Sequence, residues 1–384
     1  MRGRRSNRAV WVAGVPIAAA LMGLAACSSS GVKAPASVTA GVASSGSSSS
    51  AGVNGGGRQI VYFGQTAASS YVVAEIAAVK AEAARLGFKI TVVQDSDDTQ
   101  PTQDAQVRQY LASGKKPAAF LIQTANGAAA VNSVRLLSKV APVIQGDSAV
   151  ASDEAPYVKA YAGQDNEQIG RNAGQLLTAL RTKLVGEGVK LHSTQGNLLT
   201  LNFPAGFQGG IDRSTGLNAA TASSPFNLLN DIPGNYFDAQ DGFAGASQVL
   251  PKYVSDVDFI FVGTSSAGVG VAKALADSGL TLNKNVWMVA GNCSGGLSTM
   301  ASVYGATMQS AAADGRIQID VVAQYLATGK TKPGTYLAPP TATAPIVTAT
   351  PPAATSIMPL KSVVGETQAA GATIWDSSPA AVCA

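Results

Sequence analysis

At 384 residues, of which 46% are hydrophobic, the chain is long enough for two core-bearing lobes. Its formal charge of +4 resides in the first 26 residues, where Arg2, Arg4, Arg5 and Arg8 meet no acidic residue, so the remainder is near neutral. No basic patch argues for nucleic acid and no acidic tail for a basic partner, and a charged share of 13% leaves little to steer a charged ligand.

Residues 1–26 read as an export signal: a basic start, an apolar stretch over residues 9–26, then Leu24-Ala25-Ala26-Cys27. That closing tetrapeptide resembles the lipobox of bacterial lipoproteins, which implies a lipidated Cys27 and a chain anchored to the outer face of the cell membrane. Arg4-Arg5 hints at twin-arginine export, although Asn7-Arg8 follows where such signals carry apolar residues. Residues 27–57 are rich in Ser and Gly and cannot bury a core. They predict a flexible tether with a root-mean-square span on the order of 30 Å.

From Arg58 a β–α rhythm begins. Ile60-Val61-Tyr62-Phe63 reads as a strand, Val72, Ile76, Val79, Ala83 and Leu86 fall on one helical face ending at Gly87, and Lys89–Val93 is a second strand. Such a βαβ unit has parallel strands and a right-handed crossover, and ligands sit beyond the carboxyl ends of its strands, here at the loop carrying Tyr71. A helix over 104–112, a strand over 118–122, a helix over 128–138, and strands over 142–144 and 157–161 continue the pattern. Asp165 or Asn166 is a fitting N-cap for a helix running toward Lys183.

The rhythm then restarts. Lys190–His192 reads as a strand, followed by a loop rich in Asn and Gly and a helix around Gly216-Leu217. Helices over 242–250, 267–277 and 317–327 alternate with strands over 259–262, 286–289 and 305–308. Two sets of β–α units predict an α/β fold of two Rossmann-like lobes with parallel sheets and a cleft between them. Repeated Pro and Thr over 339–359 predict extended segments.

Chemistry for catalysis is sparse. His192 is the single histidine and reads as a satisfied residue on its strand rather than a general base. Gly263-Thr264-Ser265-Ser266-Ala267-Gly268 lacks the G-x-S-x-G spacing, and Gly268 and Gly270 lie inside a helix without a third dinucleotide-loop glycine. No Cys, His or carboxylate cluster predicts a metal, and Asp95, Asp97 and Asp98 read as a solvated loop. Beyond Cys27, Cys293 and Cys383 stand in an oxidising setting, where they could pair or stay as separate thiols. A bond between them would close a loop of about 90 residues, worth roughly 4 to 5 kcal/mol in the chain-entropy model.

Several local patterns resemble the type I periplasmic binding proteins, particularly the ribose-binding subfamily that serves sugar ABC importers. They are Ala84-Arg85-Leu86-Gly87-Phe88, Pro142-Val143-Ile144 before Asp147, Asp165-Asn166 with Gly170 and Ala173, Phe237-Asp238 before Gly242, and Gly329-Lys330. The resemblance runs from Arg58 to about Gly329. It implies an N-terminal lobe over 58–164 plus about 311–335, and a C-terminal lobe over 165–310 plus about 336–384. It further implies Tyr71 and Phe237 stacking on a sugar ring, with Gln123, Asp147, Thr264, Asn292, Gln309 and Ser69 around its edge.

The chain departs from the sugar binders at Asp147-Ser148, where they carry Asp-Arg, at Thr264-Ser265, where they carry Asn-Asp, and at Asn292, where Asp is usual. Arg213 sits beside the family's arginine, near the inserted Phe203-Pro204-Ala205-Gly206-Phe207. So few charges admit either a simple sugar or a neutral, partly apolar solute. The expected protein is a monomeric solute-binding lipoprotein with no cofactor and no enzymatic activity, partnered by an ABC permease and its ATPase. Delivery of ligand state to a membrane receptor is the alternative.

Overall fold

The computed structural model describes residues 54–65, 69–95, 97–148, 150–307 and 309–330, together with the backbone of 346–348, all within the unit Ser50–Ala384. The signal, Cys27, most of the tether, Cys383 and nearly all of the Pro/Thr-rich segment lie outside the described residues.

Two sheets organise the chain. The first is built from β1 (Gln59–Gly64), β2 (Lys89–Gln94), β3 (Ala119–Ile122), β4 (Val143–Gly146) and β5 (Ala160–Ala162), in the parallel order β2-β1-β3-β4-β5. Its strands are covered on both faces. Ile60 and Tyr62 point to α1 (Ser70–Arg85) and α8 (Ala311–Thr328), while Val61 and Phe63 point to α2 (Gln100–Ala112) and α3 (Gly127–Ser138). That double burial is why the central strands read as unbroken apolar runs rather than alternating ones.

The second sheet contains β6 (Asn197–Asn202), β7 (Asn227–Pro233), β8 (Phe259–Val262), β9 (Trp287–Ala290) and β10 (Gly305–Thr307), all parallel, with β11 (Ile346–Thr348) added antiparallel on one edge. One face packs against α4 (Asn166–Gly186) and α5 (Gln208–Thr221), the other against α6 (Ala239–Val249) and α7 (Ser265–Asp277). The fold is the two-lobed α/β architecture of type I periplasmic binding proteins. The chain passes between the sheets at residues 163–165 and again between β10 and α8, so α8 closes the core of the first sheet.

The sequence reading fails at two places. Lys190–His192 is not a strand; it belongs to the connection after α4, where Asp258 accepts hydrogen bonds from the His192 backbone and sits 2.7 Å from His192 Nδ1. The true strand is β6, within the stretch read as a loop, and β7 is an addition. Asp165 does cap α4, its side chain accepting from the Gln168 amide at 2.8 Å.

Candidate functional site

The carboxyl ends of the two sheets face each other across a narrow cavity whose empty space, counting what opens to solvent, is about 320 Å³. Strand ends supply most of its wall: Gln65 after β1, Gln123 after β3, Asp147 after β4, Phe203 after β6, Asn292 after β9 and Gln309 after β10. Helix starts supply the rest, with Ser69, Tyr71 and Val72 at α1, Phe207 and Arg213 at α5, Phe237 ahead of α6, and Thr264 as N-cap of α7. A parallel sheet ends its strands on one side, and the loops must turn there to enter the next helix. Polar and aromatic side chains on those loops therefore converge.

The side chains singled out from the sequence, Ser69, Tyr71, Gln123, Asp147, Phe237, Thr264, Asn292 and Gln309, all line this one cavity. Those not singled out are Gln65, Val72, Phe203 and Phe207, while Arg213 joins the wall as its neighbourhood suggested. With β6 placed at its true position, Phe203 is the first residue past a strand end, and the same rule would have named it.

Asp147 is the hub of the polar wall. Its carboxylate accepts from Gln123 Nε2 at 2.5 Å and from Gln309 Nε2 at 3.1 Å. Its backbone carbonyl accepts from Tyr161 Oη at 2.8 Å and Asn166 Nδ2 at 2.9 Å, which hold the residue at a φ of 56°, in the left-handed region. A non-glycine residue held there costs energy, and strain of this kind gathers at functional sites. On the far side Gln309 Oε1 accepts from Arg213 Nη2 at 2.8 Å and from Asn292 Nδ2 at 2.9 Å. Gln309 thus bridges an acid of the first lobe to a base and an amide of the second. Asn292 Oδ1 is buried without a hydrogen-bond partner, leaving an acceptor in the cavity wall.

Two further carboxyl groups, Glu75 and Asp314, are buried close behind the wall. Behind the wall, Tyr71 Oη donates to Asp314 Oδ2 at 2.6 Å, and Tyr62 Oη donates to Glu75 Oε1 at 3.2 Å, with Gln318 donating to the same oxygen. Burial, then the charge on Asp147, pushes the Glu75 carboxyl up to about 8, and burial with the same neighbour raises Asp314 well above the carboxylate range. Burial lowers Arg213 from its ordinary value, opposed by Asp147, and it holds Asn166 Oδ1 at 2.9 Å and the Gly263 carbonyl at 3.0 Å.

The apolar wall is a trio of phenyl rings. Phe203 and Phe237 stack with centroids 4.7 Å apart, and Phe207 meets both edge-on, at 5.3 and 5.7 Å. Cys293, next to Asn292, is fully buried and disulfide-bonded. Among the described residues no group of His, Cys, Asp or Glu is arranged to hold a metal ion, and no helix is long and apolar enough to cross a membrane.

A ring-shaped solute with hydroxyls would meet aromatic faces on one side and amides, a carboxylate and a guanidinium on the other. The sequence model of the family described as "Periplasmic binding protein domain" matches residues 60–331. The chain belongs to that family. Several solved structures share the fold. A periplasmic ribose ABC transporter protein from Conexibacter woesei is 19% identical with a TM-score of 0.56, over 74% of this chain and 91% of that one. The binding protein of an arabinose ABC transporter from Shewanella sp. ANA-3, bound to α- and β-L-arabinofuranose, is 20% identical with a TM-score of 0.62, over 81% and 97%. A Caulobacter myo-inositol binding protein with bound myo-inositol is 15% identical with a TM-score of 0.61, over 73% and 92%. No curated protein matches the sequence. The family and the structural relatives are substrate-binding proteins of transport systems.

Proposed function

We propose that this chain is an extracytoplasmic solute-binding lipoprotein of an ABC importer, which captures a small neutral sugar or sugar-like molecule in the cleft between its lobes. The observation that carries the reading is the single cavity at the strand ends of both sheets, where aromatic rings and multi-donor side chains face one another. Ligands touching both lobes favour the arrangement in which the lobes meet. Differential affinity for that arrangement is the signal a permease reads.

Three roles follow for the wall. Tyr71 and Phe237 clamp the ring, Asp147, Gln123, Asn292 and Gln309 orient its hydroxyls, and Ser69 and Thr264 stand at the starts of their helices as further polar contacts. Lipidation at Cys27 and the Ser/Gly tether would hold the monomeric domain close to the membrane, within reach of its permease and ATPase partners. No cofactor enters this scheme, and no catalytic step is assigned.

A thermal-shift screen of the purified chain against sugars, polyols, nucleosides, amino acids and small alicyclic compounds tests the ligand class. At 100 times its dissociation constant a ligand stabilises by about 2.7 kcal/mol, a shift such a screen resolves. Stabilisation only by amino acids or nucleosides would remove the sugar reading. For the anchor, replacing Cys27 by Ser should abolish metabolic labelling with a fatty acid and release the protein into the medium; retention with label would refute it.

A further inference from the structure

We infer that the segment from Phe203 to Phe207 is the specificity element of the cleft, and that it selects a ring polyol with an apolar edge, a 6-deoxyhexose in preference to its parent hexose. The inference rests on the sugar-capture reading above.

One phenyl ring suffices to stack on a sugar face. Phe237 is such a ring, yet two more adjoin it. Phe203 is a built part of the wall: a Cβ on Gly210 would come within 3.0 Å of Phe203 Cβ, and one on Gly263 within 3.0 Å of Phe203 Cε1, so both glycines leave the slot that the ring fills. Phe207 then stands edge-on to both other rings, at interplanar angles of 77°. All three rings line the cavity.

The segment is also fastened across the cleft. The Gly206 carbonyl accepts from the Gly127 amide at 3.3 Å, at the start of α3, and the Ala205 carbonyl accepts from Asn126 Nδ2 at 3.4 Å. Gly206 has a φ of +88°, and a Cβ there would lie 2.1 Å from Asn126 Nδ2, so only glycine permits this approach. This fastening across the cleft and two of the three phenyl rings therefore belong to the same five residues.

None of the three rings can hydrogen-bond a hydroxyl. A hydroxyl turned toward them loses its water without replacement, whereas a methyl or methylene loses nothing. An apolar pocket discriminates against an added hydroxyl by up to about 100-fold. The polar wall, with Asp147, Gln309 and Asn292, holds the remaining hydroxyls, so the preferred solute has both kinds of edge.

The test is titration calorimetry of the purified full chain against matched pairs: D-fucose and D-galactose, L-fucose and L-galactose, L-rhamnose and L-mannose. The expected result is a preference of about 10- to 100-fold for the deoxy member of at least one pair. Phe207→Asn, which offers a hydroxyl a partner, should shrink that ratio toward unity, while Phe207→Leu should keep most of it. A purely structural role would lower both affinities and leave their ratio alone. A parent hexose bound as tightly as its deoxy partner, binding by other sugars but by no pair, or an unchanged ratio in Phe207→Asn overturns the inference and leaves sugar capture standing. Failure of every sugar and polyol to bind overturns both.

Discussion

The phenolic oxygen of Tyr71 lies 2.6 Å from Asp314 Oδ2, and this bond joins the first helix of the described chain to its last. The ring that faces the cavity is thereby held by a buried acid behind it. Replacing Tyr71 by Phe keeps the ring and removes the donor. It should lower stability by about 1 to 3 kcal/mol, as expected when a buried acceptor is stranded, with ligand affinity changed only a few-fold. Calorimetric melting and titration on the same sample separate the two effects, and an affinity loss larger than the stability loss would mean that the hydroxyl touches the ligand.

Phe237→Ala removes the ring shared by the stack and by the cavity. Truncating a buried aromatic anchor costs binding about 2 kcal/mol or more, roughly 30-fold in affinity. Equilibrium binding of a verified ligand checks this, and unchanged affinity would take Phe237 out of the site.

Glu75 makes stability fall as pH rises. The folded chain keeps its proton up to about 8, whereas the unfolded chain releases it near the ordinary value of 4.5. Glu75 faces Tyr62, Asp147, Asp314 and Gln318, and Asp314 shifts in the same direction. Glu154 and Asp320, each raised to about 7, add to it. This contribution is present in full below the lower limit and is lost through the window, by at most about 1.4 kcal/mol per pH unit for each group. Melting temperatures of the chain and of Glu75→Gln should converge at pH 5 and separate at pH 8, with the variant the more stable. Parallel curves would show that Glu75 is ionised in the folded chain.

Peptide mapping under non-reducing conditions should yield a fragment joining Cys293 to Cys383, the one cysteine available outside the anchor. Reduction should lower stability by about 4 kcal/mol if the bond closes the full loop. A fragment pairing Cys293 with Cys27 would contradict both the pairing and the lipid anchor.

The fold was legible because both sheets are buried on two faces, so strands such as Ile60–Phe63 and Phe259–Val262 stand out as continuous apolar runs. Where an edge strand faces solvent that signal vanishes. In β7 Asn227, Leu228, Asn230, Asp231 and Pro233 are exposed, and nothing in their order marks a strand. β6 was hidden by its flanking Asn197 and Asn202, which are buried by side-chain bonds the sequence does not display. Apart from Tyr71, the cavity residues named came from the resemblance to the family; the loop carrying Tyr71 was legible because strand ends and helix starts can be counted from the pattern. Glu75 and Asp314 were not, since a carboxylate on a helix ordinarily faces water; only the packing of α1 along α8 buries them.

The return of α8 to the first sheet governs when the protein can be finished. Ile319, Val321, Val322 and Ala323 lie in the same core as Ile60 and Tyr62, roughly 260 residues apart in the chain. A nascent chain halted before Ala311 holds every strand of the first sheet and the α1 helix, yet leaves the part of that face that α8 covers open to water. The first lobe is therefore completed only after the second lobe's parallel strands have been made, which keeps the chain without its full core through most of its synthesis.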